Sequence, residues 1–302
     1  MKITNKFGVP GTLEALAKRD YYTKGKADYS VTELISPPRV QRLRRRHWEK
    51  MESDVSDMLW SLMGSALHVV AERGQAEGHI TEQRLFHEVD GITISGAIDV
   101  QQMGPDGITI IDYKFTKAWS VMADKPEWEA QQNIYAWLVH EVKGQEVAGV
   151  QICALVRDWS RLEALRKPEY PQAPIHIVKL PLWPFERTEA YVRERIRLHN
   201  EGRMAEDLDA ELPRCSPDEQ WRREPKFAVM KEGRKRALRV LDTEDEAIQL
   251  AKKEGGYVER RKSEPIRCTG NYCGVRDWCS QYHQENPAGD EAGGVRPEAR
   301  EE

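Results

Sequence analysis

At 302 residues, with 39% hydrophobic and 32% charged side chains, the chain has the composition of a globular protein with one core and appended modules, and no apolar run reaches the length of a bilayer span. A formal net charge of −4 excludes a uniformly basic nucleic-acid coat and moves the question to local charge. The opening Met1-Lys2-Ile3-Thr4-Asn5-Lys6 lacks the apolar stretch of a secretory leader, so a cytosolic location is expected, where five cysteines point to metal ligation rather than a disulfide framework.

Residues 1 to 30 are mixed and polar and carry no assignable chemistry. After Ser36-Pro37-Pro38, the run Arg39-Val40-Gln41-Arg42-Leu43-Arg44-Arg45-Arg46-His47-Trp48 predicts a basic helix. Arg42, Arg45 and Arg46 can share one side and meet phosphates, or form a solvated charged face. From Asp54 to Arg73, apolar residues at Val55, Met58, Leu59, Leu62, Met63, Ala66, Leu67 and Val70 recur at helical spacing and predict a helix with a broad buried face, closed by Gly74. Within it, Gly64 allows another backbone to approach. His68, one turn later, either points its imidazole into a site or packs in the core.

Strands are expected over Gln83 to Val89 and Ile92 to Val100, joined by an Asp90-Gly91 hairpin turn. A third, Gly107 to Phe115, completes a meander across Pro105-Asp106-Gly107. The meander brings Asp99 and Asp112 near one another with Lys114 beside them. Carboxylate oxygens are what Mg²⁺ and Mn²⁺ prefer, so the arrangement suits metal-assisted phosphodiester hydrolysis; an ordinary polar hairpin is the competing reading. A helix from Trp128 to Val142 carries Gln131 and Tyr135 four residues apart, hence on one side. Val147 to Val156 reads as a buried strand, Ile175 to Leu180 as an edge strand flanked by prolines, and Pro184 to Met204 as a long amphipathic helix. The order predicts an α/β sandwich: a mixed central sheet flanked by helices.

Beyond this core, Lys226 to Met230, Ala237 to Leu241, Glu244 to Lys253 and Tyr257 to Arg261 read as a compact ββαβ insert over residues 226–262. Its turn, Lys231-Glu232-Gly233-Arg234-Lys235-Arg236, together with Arg239, is basic enough to touch nucleic acid, or serves solubility. Cys268, Cys273 and Cys279 stand at x4 and x5 spacing and supply three thiolates where a closed site needs four. Cys215 is the best fourth, because the two ends of the insert return it beside Cys268. Cys153, in an apolar strand, reads as a buried thiol. Residues 284–302 read as a disordered acidic tail.

Gly64-x-x-x-His68, Gly96-x-x-Asp99, Asp112-x-Lys114 and Gln131-x-x-x-Tyr135, in this order and on these element types, resemble the RecB-like exonuclease branch of the PD-(D/E)XK nuclease superfamily, with Gly-x-x-Asp where the superfamily name has Pro-Asp. The resemblance implies the PD-(D/E)XK restriction-endonuclease-like core over residues 54–212, after an N-terminal segment of residues 1–53 and before a cysteine-ligated region of residues 213–283. It implies that Asp99, Asp112, His68 and the Tyr113 carbonyl hold Mg²⁺ or Mn²⁺. Lys114 then positions the attacking water, and Gln131 and Tyr135 brace the site and touch the DNA backbone; Glu88 on the first strand is a further acidic candidate. Related nucleases, including iron-sulfur exonucleases of CRISPR adaptation, carry a four-cysteine cluster, which implies a [4Fe-4S] cluster, or zinc in its place, on Cys215, Cys268, Cys273 and Cys279. In those relatives one cysteine precedes the core; here Cys215 follows it. The expected activity is a metal-dependent DNA exonuclease of bacterial or phage type acting on ends or single strands, with a possible helicase or recombinase partner. The alternative is a catalytically inactive nucleic-acid-binding module of the same fold.

Overall fold

The computed structural model describes residues 1–19, 23–74, 76–205 and 211–286. Of the disordered acidic tail expected over residues 284–302, Gln284 and Glu285 instead end a helix and bond Arg214, and residues from 287 onward lie outside the described residues. The chain forms two compact units, one of residues 1–41 and 47–204, the other of residues 42–46 and from 205 onward.

The first unit runs β1 (Lys2–Thr4), α1 (Gly11–Lys18), β2 (Tyr29–Ser30), α2 (Val31–Ile35), α3 (Pro38–Arg46, whose last turn belongs to the second unit), β3 (Glu52–Asp54), α4 (Val55–Glu72), β4 (His79–Val89), β5 (Ile92–Gly104), β6 (Gly107–Thr116), α5 (Ala118–Met122), α6 (Pro126–Lys143), β7 (Val147–Val156), α7 (Arg161–Arg166), β8 (Ile175–Leu180) and α8 (Phe185–Met204). Local chemistry sets the boundaries. Ser30 and Glu33 form a reciprocal capping box at the start of α2, satisfying two otherwise orphaned backbone donors. Asp54 caps α4 through Ser56 N and also accepts from Thr4 Oγ1 at 2.9 Å and Lys6 N at 2.7 Å, which ties the chain's first strand to that helix. Proline opens α6, and Gly144 at φ 62° closes it. Asp90 and Gly91, at φ 52° and 75°, make the tight β4–β5 turn that this dipeptide favours.

The central sheet has six strands in the order β2-β5-β6-β7-β8, with β4 on the other side of β5. It is mixed: β2–β5 and β6–β7 are parallel, the remaining pairs antiparallel. As expected from its prolines, β8 is an edge. The short β2, from a stretch without visible chemistry, lies beside Ile94 and Ser95, while β6 pairs with Val100 to Gly104. The two neighbours therefore share one side of β5 in tandem, and Gly96 to Asp99 fall between them. Ile94, Ile98, Ile108 and Ile110 from the sheet meet Ile134, Trp137 and Leu138 of α6 and Val192 and Ile196 of α8 in one core, each large side chain contributing about 1.5–3 kcal/mol by burial. Arg195 of α8 donates to the carbonyls of Leu34 at 3.0 Å and Ser36 at 2.6 Å, satisfying the C-terminal end of α2.

Helix α4 departs from expectation. Val55 is its one buried residue, and Leu59, Trp60, Met63, Val69 and Val70 are exposed. A Cβ at Gly64 would meet no atom of the described residues within 4 Å, so among them no backbone makes the close approach expected there. Helical periodicity states which residues share a face; whether a partner covers that face depends on elements elsewhere in the chain. Trp60 packs on Phe115 of β6, ring centroids 6.1 Å apart, with the Arg157 guanidinium 4.0 Å from its ring centroid.

The second unit contains β9 (Arg222–Arg223), β10 (Lys226–Met230), β11 (Arg239–Leu241), α9 (Glu244–Glu254), β12 (Tyr257–Arg261), β13 (Glu264–Pro265), α10 (Ile266–Thr269) and α11 (Ser280–Glu285). The ββαβ module forms as an antiparallel sheet, β11-β10-β12, with Phe227 and Val229 packed on Ala247 and Ala251 of α9. Its two ends are joined by the β9–β13 ladder.

Candidate active site

The site is built where β5 and β6 part. Their last pair is Val100 with Ile111, and one step further the Tyr113 N–H donates not to a strand carbonyl but to Asp99 Oδ2, at 2.8 Å. Side chains alternate along β6: the Tyr113 ring lies edge-on to His68 of α4, centroids 6.4 Å apart, while Lys114 Nζ donates to Gln131 Oε1 of α6 at 3.2 Å. The same ammonium stands 2.6 Å from Asp112 Oδ2. Gln131 Nε2 in turn donates to the Tyr135 hydroxyl at 2.9 Å, which orients the amide so that its oxygen faces Lys114. Gly96 explains the close approach of α6: a Cβ there would lie 2.7 Å from Leu138 Cδ1 and 2.9 Å from Tyr135 Cδ1.

His68 closes the site from α4, its Nδ1 3.4 Å from Asp99 Oδ2 and 3.3 Å from Glu82 Oε1. His68, Asp99, Asp112, Lys114, Gln131 and Tyr135 are thus brought together. Glu88 does not: it is exposed and pairs with Thr93, toward the Asp90-Gly91 turn. The acidic residue that β4 brings in is Glu82. The strand begins at His79, four residues earlier than its alternation suggests, and the pairs Thr81–Val100 and Gln83–Ile98 set Glu82 level with Asp99. Glu82 has φ 50°, a region costly for a side chain with a Cβ, so its local pattern breaks where the functional group sits.

Burial and the neighbouring Asp112 charge push the Asp99 carboxyl up to about 7, against the pull of His68, the Tyr113 N–H and Lys114. The His68 imidazolium is favoured, first by its hydrogen bond to Glu82 and then by the Asp99, Glu82 and Asp112 charges, outweighing burial. Asp112 Oδ2 is buried and makes no well-formed hydrogen bond, although Lys114 is near. Two carboxylates and an imidazole offer ligand atoms all within 4.8 Å of one another at His68, Glu82 and Asp99. Surplus negative charge, an unsatisfied buried carboxylate oxygen and O/N donors together fit a hard divalent cation.

Residues 15–280 match the profile of the PD-(D/E)XK nuclease superfamily. The chain belongs to that superfamily. Membership in the PD-(D/E)XK nucleases implies a hydrolase acting on nucleic acid with a divalent metal, and the mixed sheet flanked by helices is the corresponding fold. Among solved structures, the chain is similar to SSO0001, at 17% identity over 62% of this chain and 82% of that one with a TM-score of 0.39. It is also similar to a candidate exonuclease from Eubacterium rectale, at 12% identity over 49% of this chain and 55% of that one with a TM-score of 0.30. No curated protein matches the sequence. Among the described residues, no helix is long and apolar enough to cross a membrane.

In the second unit, Cys273 and Cys279 are buried, and Cys215 and Cys268 partly so. Burial and then the neighbouring Cys273 and Cys279 push the Cys268 thiol up to about 11, and burial, Glu219 and the same two cysteines raise Cys215. Four thiols near enough to influence one another, in a setting that penalises bare thiolates, fit a group that supplies positive charge. Gln281 holds Cys215 from both sides, accepting from its N–H at 2.8 Å and donating to its carbonyl at 3.0 Å. Cys153 lies in β7 half-buried rather than fully buried as its apolar strand suggests, with its thiol raised by the burial it has.

Proposed function

We propose that this chain is a RecB-like, Mg²⁺- or Mn²⁺-dependent deoxyribonuclease that degrades DNA as an exonuclease in recombination, replication or repair. The observation that carries the reading is the convergence of His68, Asp99, Asp112 and Lys114 from three elements, braced by Gln131 and Tyr135 from a fourth. When bound, a divalent metal would neutralise phosphate charge and lower the pKa of a water on it. Asp99 and Asp112 would hold it, with His68, the Tyr113 carbonyl and, from its position, Glu82. Lys114, drawn between Asp112 and Gln131, offsets charge at the scissile phosphate and orients the attacking water. Gln131 keeps that ammonium on the site side of α6, and the Tyr135 hydroxyl keeps the amide from turning over.

The same reading gives Cys215, Cys268, Cys273 and Cys279 a [4Fe-4S] cluster. It is supported by their mutual influence and by their spacing.

Incubation with Mn²⁺ and end-labelled single strands, duplexes and closed circles tests the activity. Linear DNA should be degraded and circles spared, and Asp112→Ala should abolish degradation while DNA binding persists. Digestion by that variant at the wild-type rate would refute the site; absence of metal-dependent degradation by the wild type would favour the inactive binding module.

A further inference from the structure

The ββαβ module separates its charges. Its strands, the β10–β11 turn and Lys262 hold nine Lys and Arg (Lys226, Lys231, Arg234, Lys235, Arg236, Arg239, Arg260, Arg261 and Lys262) against Glu232 and Glu259, in a chain whose net charge is −4. All nine are exposed. Lys226 pairs with Asp242 and Arg261 with Glu259 at 3.9 Å. The other seven side chains have no ion pair or hydrogen bond to any described residue.

The acids have an internal explanation. Glu244, Asp245 and Glu246 occupy the first turn of α9, where the helix dipole favours negative charge. The cations have none. Lys231, Arg234, Lys235 and Arg236 crowd one turn, with Arg239 three residues on, and their mutual repulsion opposes folding of the tip. Solubility is served by mixed, interspersed charge and leaves this concentration unexplained. Phosphates are the dense, regularly spaced anions that compensate several unpaired cations together.

We infer that the ββαβ module is a second nucleic-acid contact, separate from the catalytic centre, which grips the phosphate backbone through Lys231, Arg234, Lys235, Arg236 and Arg239. It rests on the reading of the chain as a DNA-acting protein but not on cleavage. Contacts of this kind to phosphate supply affinity and carry no base information.

The test uses the full chain carrying Asp112→Ala, so that the labelled duplex stays intact, and compares it with the same chain also carrying Arg234→Gln, Lys235→Gln and Arg236→Gln. Anisotropy across a salt series should show the triple change weakening binding about tenfold or more at low salt, with the slope of log K against log salt smaller by about 2–3, near 0.9 for each lost phosphate contact. Unchanged affinity and slope would overturn the inference, as would DNA binding retained by a variant that has lost binding to polyglutamate, which would make an acidic protein the partner. Circular dichroism confirms folding; should the triple variant misfold, Lys231→Gln with Arg239→Gln gives the same readout at a predicted slope change of about 2. Wild-type protein that binds DNA with this salt response but never cuts would sink the catalytic reading alone.

Discussion

Replacing Gly96 by Ala tests the link between the sheet and the catalytic ammonium. The Gly96 backbone is not in the left-handed region, so alanine can adopt its conformation, and the penalty is steric. The new methyl would meet Leu138 Cδ1 at 2.7 Å and Tyr135 Cδ1 at 2.9 Å, both on buried side chains. Overpacking by one carbon costs about 1–3 kcal/mol, and the lower entropy of an unfolded alanine returns about 0.4–1 kcal/mol. A net loss of roughly 1–2 kcal/mol is expected in urea unfolding. The displaced Tyr135 ring would drag its hydroxyl from Gln131, and Gln131 from Lys114, so kcat should fall. In a double-mutant cycle Leu138→Ala opens space for the added methyl, so the pair should be less destabilised than the two single losses together by about 1 kcal/mol. A Gly96→Ala protein within ~0.5 kcal/mol of wild type, with unchanged kcat, would refute the close approach of α6 as the reason for glycine.

Three other outcomes follow from the charges. Because the Asp99 carboxyl rises from 3.8 to about 7 on folding, the metal-free native state holds a proton that the unfolded chain releases; stability should therefore fall as pH climbs from about 4 to about 7, each pKa unit being worth about 1.4 kcal/mol. Mn²⁺ should restore it most at and above neutrality, and a metal-free melting temperature whose pH dependence is the same in Asp99→Asn as in the wild type would contradict the assignment. Glu82→Gln removes the largest influence favouring the His68 imidazolium, so NMR titration of His68 should move downward and Mn²⁺ affinity should weaken. Cys215→Ser should lose the visible absorption and iron of protein purified without oxygen whereas Cys153→Ser keeps both; stoichiometric zinc in colourless wild-type protein would overturn the cluster.

Where chemistry is local, the sequence was enough. Alternation and helical spacing determined β6, β7, β8 and α8 to within a residue, while β5 runs four residues past its expected end and α6 starts two residues early; the i, i+4 relation of Gln131 and Tyr135 needed only helix geometry. Three matters were decided by parts of the chain far apart in sequence. The tandem placement of β2 and β6 along one side of β5 opens the gap in which Asp99 turns its carboxylate to the Tyr113 N–H, and a two-residue strand has no periodicity to read. Glu82 reaches the site through a left-handed residue that breaks the pattern by which strands are recognised. The apolar stripe of α4 promised burial, yet burial is a property of what lies opposite, and Leu59, Met63, Ala66 and Val70 of that stripe are exposed. Pattern along the chain fixes each element's faces; only the assembled sheet decides which faces meet and which charges are forced together.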